Sequence, residues 1–243
     1  MAFTTATGRT RPIRTATPIT RVTISRKLQT MPPRHDVLFW DLGNVLIRVD
    51  PLRACRTATQ GDEAAARRLM ERLIHSRSQE AFETGELTPE AFHRRLVEQG
   101  LIDLDYPAFC AAWVDMFTPI AESFVLLEAV HRQRPCWLLS NTDARHFESI
   151  DRRWGVHRLL AGAILSYEVH ARKPQRAIFE IAVTRAGVAP ERSGFIDDVA
   201  EHVSAARGLG IDAVQFTSPA DLRRWLHDAG YEVPDTAAPT GDP

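Results

Sequence analysis

Six polar residues carry the chemistry open to this chain: Asp41, Ser140, Asn141, Lys173, Asp197 and Asp198. Each stands at the end of a short apolar run or just ahead of a helical one. Singly they have ordinary readings, since an Asp or Ser after a strand is often a helix cap and a Lys is usually solvated surface. Together they describe phosphoryl transfer. Asp41 and Asp198 can share a hard cation such as magnesium, which prefers oxygen ligands. A hydroxyl and a fixed ammonium can orient and neutralise phosphate oxygens. A carboxylate facing phosphorus can attack in line and become an aspartyl-phosphate. Lys173 stands out for another reason: of 30 basic residues only Lys27 and Lys173 are lysine. A compact ammonium is retained where a planar guanidinium serves elsewhere.

The elements that must position these groups follow from local pattern. Val37-Leu-Phe-Trp40 is a short β-branched and aromatic run leading into Asp41, and Gly43-Asn44 permits a sharp turn. That places a carboxylate at the carboxyl end of a strand, where open α/β sheets bind their ligands. The next seventy residues read as helical, with helices at Ala64 to Ile74, from Thr88-Pro89 to Gly100, and from Tyr106 to Met116. Phe92, Trp113 and Met116 are expected to form the core of this insertion. From Ala121 helix and strand alternate, with strands at Cys136–Asn141, Gly162–Leu165, Gly194–Asp197 and Ala213–Phe216. Alternation of this kind implies parallel βα units. The fold class expected is α/β, a doubly wound parallel sheet (Rossmann-like) with a small helical insertion after the first strand. The core comprises 36–49 and 119–231, and the insertion 50–118.

The totals narrow the function classes. A chain of 243 residues with 44% hydrophobic and 25% charged residues has the composition of a globular protein. Its net charge of -1 gives no field that favours nucleic acid or a membrane surface. Cys55, Cys110 and Cys136 are odd in number and far apart, which fits reduced thiols and a cytoplasmic protein. Residues 1–35 hold no acidic residue, seven basic residues and nine threonines, and read as a disordered leader or as sequence ahead of a true start at Met31. Residues 232–243 read as a disordered tail. A small molecule, not nucleic acid or membrane, is the expected partner, and the chain is expected to act as a monomer or homodimer.

In this order, four stretches resemble the motifs of the haloacid dehalogenase superfamily: Phe39-Trp-Asp-Leu-Gly-Asn-Val45, Leu138-Leu-Ser-Asn141, Arg172-Lys-Pro174 and Phe195-Ile-Asp-Asp198. The resemblance covers about residues 36 to 230. It implies Asp41 as nucleophile and magnesium ligand, with the Gly43 carbonyl and Asp198 as further ligands and Asp197 in support. It implies Ser140, Asn141 and Asn44 on the substrate side, Lys173 as electrostatic clamp, and the helical stretch as a cap over the site. Asp-Leu-Gly-Asn, Arg-Lys-Pro and the later Ala-Arg-Gly-Leu-Gly-Ile211 look like the bacterial group that includes a glucose-1-phosphatase.

Two departures qualify what the resemblance implies. Most phosphatases of the superfamily carry a second Asp two residues after the nucleophile, as general acid and base; here that position is Gly43. The gap favours esters whose leaving group needs little protonation, such as a sugar 1-phosphate or an acyl phosphate. His202 stands where the superfamily often has Asp or Asn, and is expected to hydrogen-bond within the site or to pack. The leading expectation is a magnesium-dependent phosphatase acting on a small phosphorylated metabolite. The alternatives are a dehalogenase-type hydrolase, against which Gly43 and the Asp197-Asp198 pair argue, and a non-catalytic binding protein that lost its general acid.

Overall fold

The computed structural model describes residues 32–73 and 76–235. The expectations for residues 1–31, for Ile74 as a helix end and for residues 236–243 lie outside them. Five parallel strands form the central sheet: β1 (Val37–Trp40), β4 (Cys136–Ser140), β5 (Gly162–Leu165), β6 (Ser193–Asp197) and β7 (Asp212–Gln215). Their order is β5-β4-β1-β6-β7. From β1 the chain builds outward through β4 and β5, then returns across the sheet to β6 and β7. The direction of winding therefore reverses at β1, which is where this architecture leaves a crevice at the strands' carboxyl ends.

Period-two alternation in β1 divides the core. Leu38 and Trp40 join one cluster with Leu126, Val130, Ile150 and Leu222. These come from α6 (Ala121–His131), α7 (Ala144–Trp154) and α11 (Pro219–Asp228). Val37 and Phe39 join the other with Phe179 and Val203, from α9 (Arg176–Ala186) and α10 (Ala200–Arg207). A strand buried on both faces accounts for its continuous apolar spelling.

Between β1 and β4 lie α1 (Pro51–Ala58), α2 (Glu63–Leu73), α3 (Arg77–Glu83), α4 (Pro89–Glu98) and α5 (Tyr106–Trp113). Thr88 and Asp105 cap α4 and α5 through side-chain bonds from the Ala91 and Ala108 amides. These helices share a separate core, in which Phe82 stacks on Phe92 at 4.4 Å. The sequence showed no strand here, yet β2 (Ile47–Val49) and β3 (Phe117–Pro119) pair antiparallel and bracket the five helices. Three residues are too few to display alternation, so the ribbon has no local signature. Within the stretch read as helical, α1 and α3 had no bounds of their own, and the short α8 (Ser166–Val169) went unpredicted.

Two boundaries shift. The fold begins before residue 36: His35 is buried and bonded to Asp212 at 2.9 Å, and the Arg34 amide donates to the Ala229 carbonyl. At the other end Glu232 exchanges hydrogen bonds with the Gln133 side chain. The three cysteines are free thiols. No helix among the described residues is long and apolar enough to cross a membrane.

Candidate active site

The Asp41 amide donates to the Ile196 carbonyl at 2.9 Å, extending the β1–β6 ladder one residue past β1. This holds the buried Asp41 side chain at the crevice. The chain then folds back on itself, with the Leu46 and Ile47 amides both donating to the Leu42 carbonyl. Asn44 occupies the left-handed region at φ 53°, which Asn tolerates better than most residues. Its Oδ1 accepts from the Val49 amide and its Nδ2 donates to Asp198 Oδ2 at 3.1 Å. The first turn is thus tied to the end of β6.

Lys173 arrives from the loop ahead of α9, held by a reciprocal amide pair. Its backbone N–H donates to Asn141 Oδ1 at 2.8 Å, and Asn141 Nδ2 donates back to the Lys173 carbonyl at 2.9 Å. The buried ammonium lies 2.8 Å from Asp41 Oδ1 and 2.6 Å from Asp197 Oδ2. It also sits 5.4 Å from the centre of the Phe195 ring. Burial alone would pull the Lys173 pKa down, but the charges of Asp41 and Asp197 outweigh it and hold the net value above the ordinary lysine range. Asp197 is the reverse case: burial pushes its carboxyl up, and Lys173 and His202 bring it below the usual range. Asp41 is pushed up to about 7 by burial, against the pull of Lys173 and with the charges of Asp197 and Asp198 adding to the rise.

Asp41, Asp197 and Asp198 each bring a carboxylate oxygen within 4.8 Å of the others, a set of hard donors suited to magnesium. Their engagements differ. Asp197 is used up by Lys173, by the Val199 amide at 2.8 Å and by His202 Nδ1 at 3.0 Å. Asp41 and Asp198 are the carboxylates with capacity to spare, and a cation between them would offset their mutual repulsion. His202 packs against Asp197 as a hydrogen-bonding neighbour.

Two adjoining cavities meet here. One, of about 330 Å³, has charged walls that include Asp41, Lys173, Asp198, Arg172 and His202. The other, of about 190 Å³, reaches between the inserted helices and the sheet, and Ser140 lies on its wall. Gly43, Gln79, Glu83 and Asn141 line both. Trp113 and Met116 both face the second cavity; Trp113 also packs on Phe92 in the helical core as expected, whereas Met116 belongs to the cluster shared with the sheet.

The sequence did not reveal the clamps that hold the helices over the sheet. Arg172 pairs with Glu80 at 3.0 Å and with Glu83 at 3.2 Å. The Ser166 hydroxyl donates to the Glu83 carbonyl at 2.6 Å. His146 Nδ1 lies 2.9 Å from Asp143 Oδ2, its Nε2 lies 3.1 Å from the Trp113 carbonyl, and Trp113 Nε1 donates to Asp143. Burial would lower the His146 pKa, but the Asp143 charge and these acceptors raise it overall. The only local trace of this triad was an Asp three residues before a His, which reads as an ordinary helix cap.

A family model described as haloacid dehalogenase-like hydrolase matches residues 35–210. The chain is 21% identical over 198 residues to a D-ribitol-5-phosphate phosphatase of Bacteroides thetaiotaomicron, covering 78% of this chain and 95% of that protein. A HAD-family enzyme of the same bacterium, solved as a complex with magnesium and inorganic phosphate, superposes with a TM-score of 0.68 at 25% identity. That match covers 75% of this chain and 94% of the other. L-2-haloacid dehalogenase from Xanthobacter autotrophicus shares the fold, with a TM-score of 0.57 at 16% identity over 84% of this chain and 85% of its own.

Proposed function

The chain belongs to the haloacid dehalogenase-like hydrolase family, and we propose that it is a magnesium-dependent phosphatase working through an aspartyl-phosphate on Asp41. The observation that carries this reading is the Lys173 ammonium, buried between Asp41 and Asp197 with Asp198 alongside. The Bacteroides thetaiotaomicron enzyme solved as a complex with magnesium and inorganic phosphate supports the same ligand class.

Asp41, Asp198 and the Gly43 carbonyl would hold the cation, with Asp197 supporting them through Lys173. When bound, magnesium supplies positive charge that offsets phosphate repulsion and keeps Asp41 ionised. Lys173 and Ser140 orient the phosphoryl oxygens, while Asn141 holds the Lys173 backbone and Asn44 ties the first turn to Asp198. The Asp41 carboxylate forms a bond to phosphorus while the ester P–O bond breaks, and the leaving oxygen keeps the electron pair. Water then attacks the phosphorus, regenerating Asp41 and releasing inorganic phosphate. Position 43 offers no side chain to protonate the leaving oxygen, so the proton comes from solvent. Losing a general acid costs about 10²–10⁴-fold for esters that need one. Substrates are therefore monoesters or anhydrides with stable leaving groups, the class that contains acyl phosphates and sugar 1-phosphates.

The test is a phosphatase screen over small phosphorylated metabolites with magnesium and with EDTA, run beside Asp41→Asn. Turnover that needs both magnesium and Asp41 is the expected result. No turnover of any substrate would favour a binding protein, and metal-independent release of halide from a haloacid would favour a dehalogenase. Glucose 1-phosphate against glucose 6-phosphate tests the leaving-group argument, since equal rates would refute it.

A further inference from the structure

The cavity beside the phosphoryl site is walled by hydrocarbon. Val49, Leu69, Leu73, Leu96, Phe109 and Ile150 face it from β2, α2, α4, α5 and α7. Polar side chains occur only toward the sheet and at α3, and most of them are already engaged. Asn141 spends both ends of its amide on Lys173. His146 spends both ring nitrogens on Asp143 and Trp113. Glu83 faces Gln79 at 3.0 Å and Arg172. Gln79 Oε1 and Glu83 Oε2 remain as buried acceptors without a hydrogen bond, Glu83 Oε2 facing Arg172 across 3.2 Å, and the Ser140 and Thr142 hydroxyls lie toward the sheet. A polyol pushed into this space would strip water from each hydroxyl and find few partners, which is costly. An apolar group would lose nothing. Enclosed apolar space of about 150 Å³ is already enough to stay dry and accept benzene, and this cavity measures about 190 Å³.

Resting on the phosphatase reading, we propose that this cavity receives the substrate's leaving group, and that the group is apolar and about six carbons in size. The phosphoryl group then sits at the charged walls and the hydrocarbon passes the Gly43, Gln79, Glu83 and Asn141 neck. Gly43 fits that arrangement twice. It leaves the neck without a side chain, and it withholds the acid that a poor leaving group would need. The substrate class is an acyl or aryl phosphate carrying hydrocarbon, in contrast to the polyol phosphate after which the relative from Bacteroides thetaiotaomicron is named.

The experiment compares acetyl, butyryl and hexanoyl phosphate with magnesium. Leaving-group acidity barely changes along this series, so chain length reports apolar contact alone. Burying each methylene is worth about fourfold, and kcat/KM should rise on the order of a hundredfold from acetyl to hexanoyl. In Ala54→Leu, which fills the cavity, the chain-length gain should disappear. A flat series, or ribitol 5-phosphate or glucose 1-phosphate turned over faster than hexanoyl phosphate, overturns the proposal while leaving the phosphatase reading intact. If nothing is hydrolysed, the phosphatase reading fails, and calorimetry on the unmodified chain with hexylphosphonate and methylphosphonate decides the cavity. Tighter binding of the hexyl compound upholds an apolar pocket; equal binding ends the proposal.

Discussion

Lys173 Nζ lies 2.8 Å from Asp41 Oδ1, and the same nitrogen lies 2.6 Å from Asp197 Oδ2. One ammonium compensates two buried carboxylates that would otherwise repel each other. Its removal should therefore damage both chemistry and folding. Lys173→Met is expected to lower kcat by about 10²–10³. It should also destabilise the chain by about 3–5 kcal/mol, because it leaves buried charge uncompensated. Lys173→Arg should not restore the rate, since a planar fork cannot replace a compact point charge. Steady-state rates and chemical denaturation of the three proteins check this.

Asp41 predicts a pH dependence. Burial, reinforced by Asp197 and Asp198, pushes its carboxyl up to about 7 against the pull of Lys173. The nucleophile is the ionised form, so kcat/KM should rise as pH increases toward 7. A bound cation favours the ionised carboxylate, so the midpoint should move downward as magnesium is raised. Profiles measured at two magnesium concentrations test the direction, and an upward shift contradicts it. For stability the sign is opposite. A raised carboxyl pKa stabilises the fold most below its unfolded value near 3.8, and that contribution is lost as pH rises through about 7.

Gly43 can be asked to regain an acid. A Cβ built there meets nothing nearer than Val49 Cγ2 at 3.6 Å, which is ordinary contact, and its φ lies outside the left-handed region. Gly43→Asp should therefore fold. It is expected to accelerate hydrolysis of alkyl phosphates by at least about tenfold, within the range general acids supply. Acetyl phosphate, whose leaving group needs no proton, should gain little. Equal gains on both would mean the new carboxylate acts otherwise than as an acid.

The Asp143–His146–Trp113 cluster joins α5 to α7 and carries its own pH signature. His146 has a raised pKa, so its stabilising contribution is fully present below its ordinary value of 6.5 and is lost as pH rises through the raised value. His146→Gln should cost about 3 kcal/mol where the imidazole is charged. The difference should shrink as pH rises through the raised value. Thermal melts of both proteins across that range test this, and a difference independent of pH would show the pair is not ionic.

The strand ends were legible because each carries its signal locally. Val37–Trp40, Cys136–Ser140 and Ser193–Asp197 are largely apolar runs, and a polar residue, Asp41, Ser140 or Asp197, stands at or just past the end of each, where the sheet opens. Thr88 announced its helix for the same reason. The ribbon of Ile47–Val49 with Phe117–Pro119 was not legible, since its only signal is pairing across a separation of some seventy residues. The Arg172 ion pairs to Glu80 and Glu83 and the His146 clamp were not legible either, because charged side chains look solvated until a partner surface covers them.

By itself the sequence determined the set of groups available to the chemistry, the alternation that builds a parallel sheet, and the missing side chain at Gly43. Those follow from residue identity and short-range periodicity, which neighbouring residues define. Only the tertiary structure decided that Asp41, Lys173, Asp197 and Asp198 converge, because the β5-β4-β1-β6-β7 order sets β1 directly beside β6. It also decided that hydrocarbon walls the space beside them. A cavity is the volume left between packed surfaces, so its shape and polarity belong to the packing and are written in no single stretch of chain.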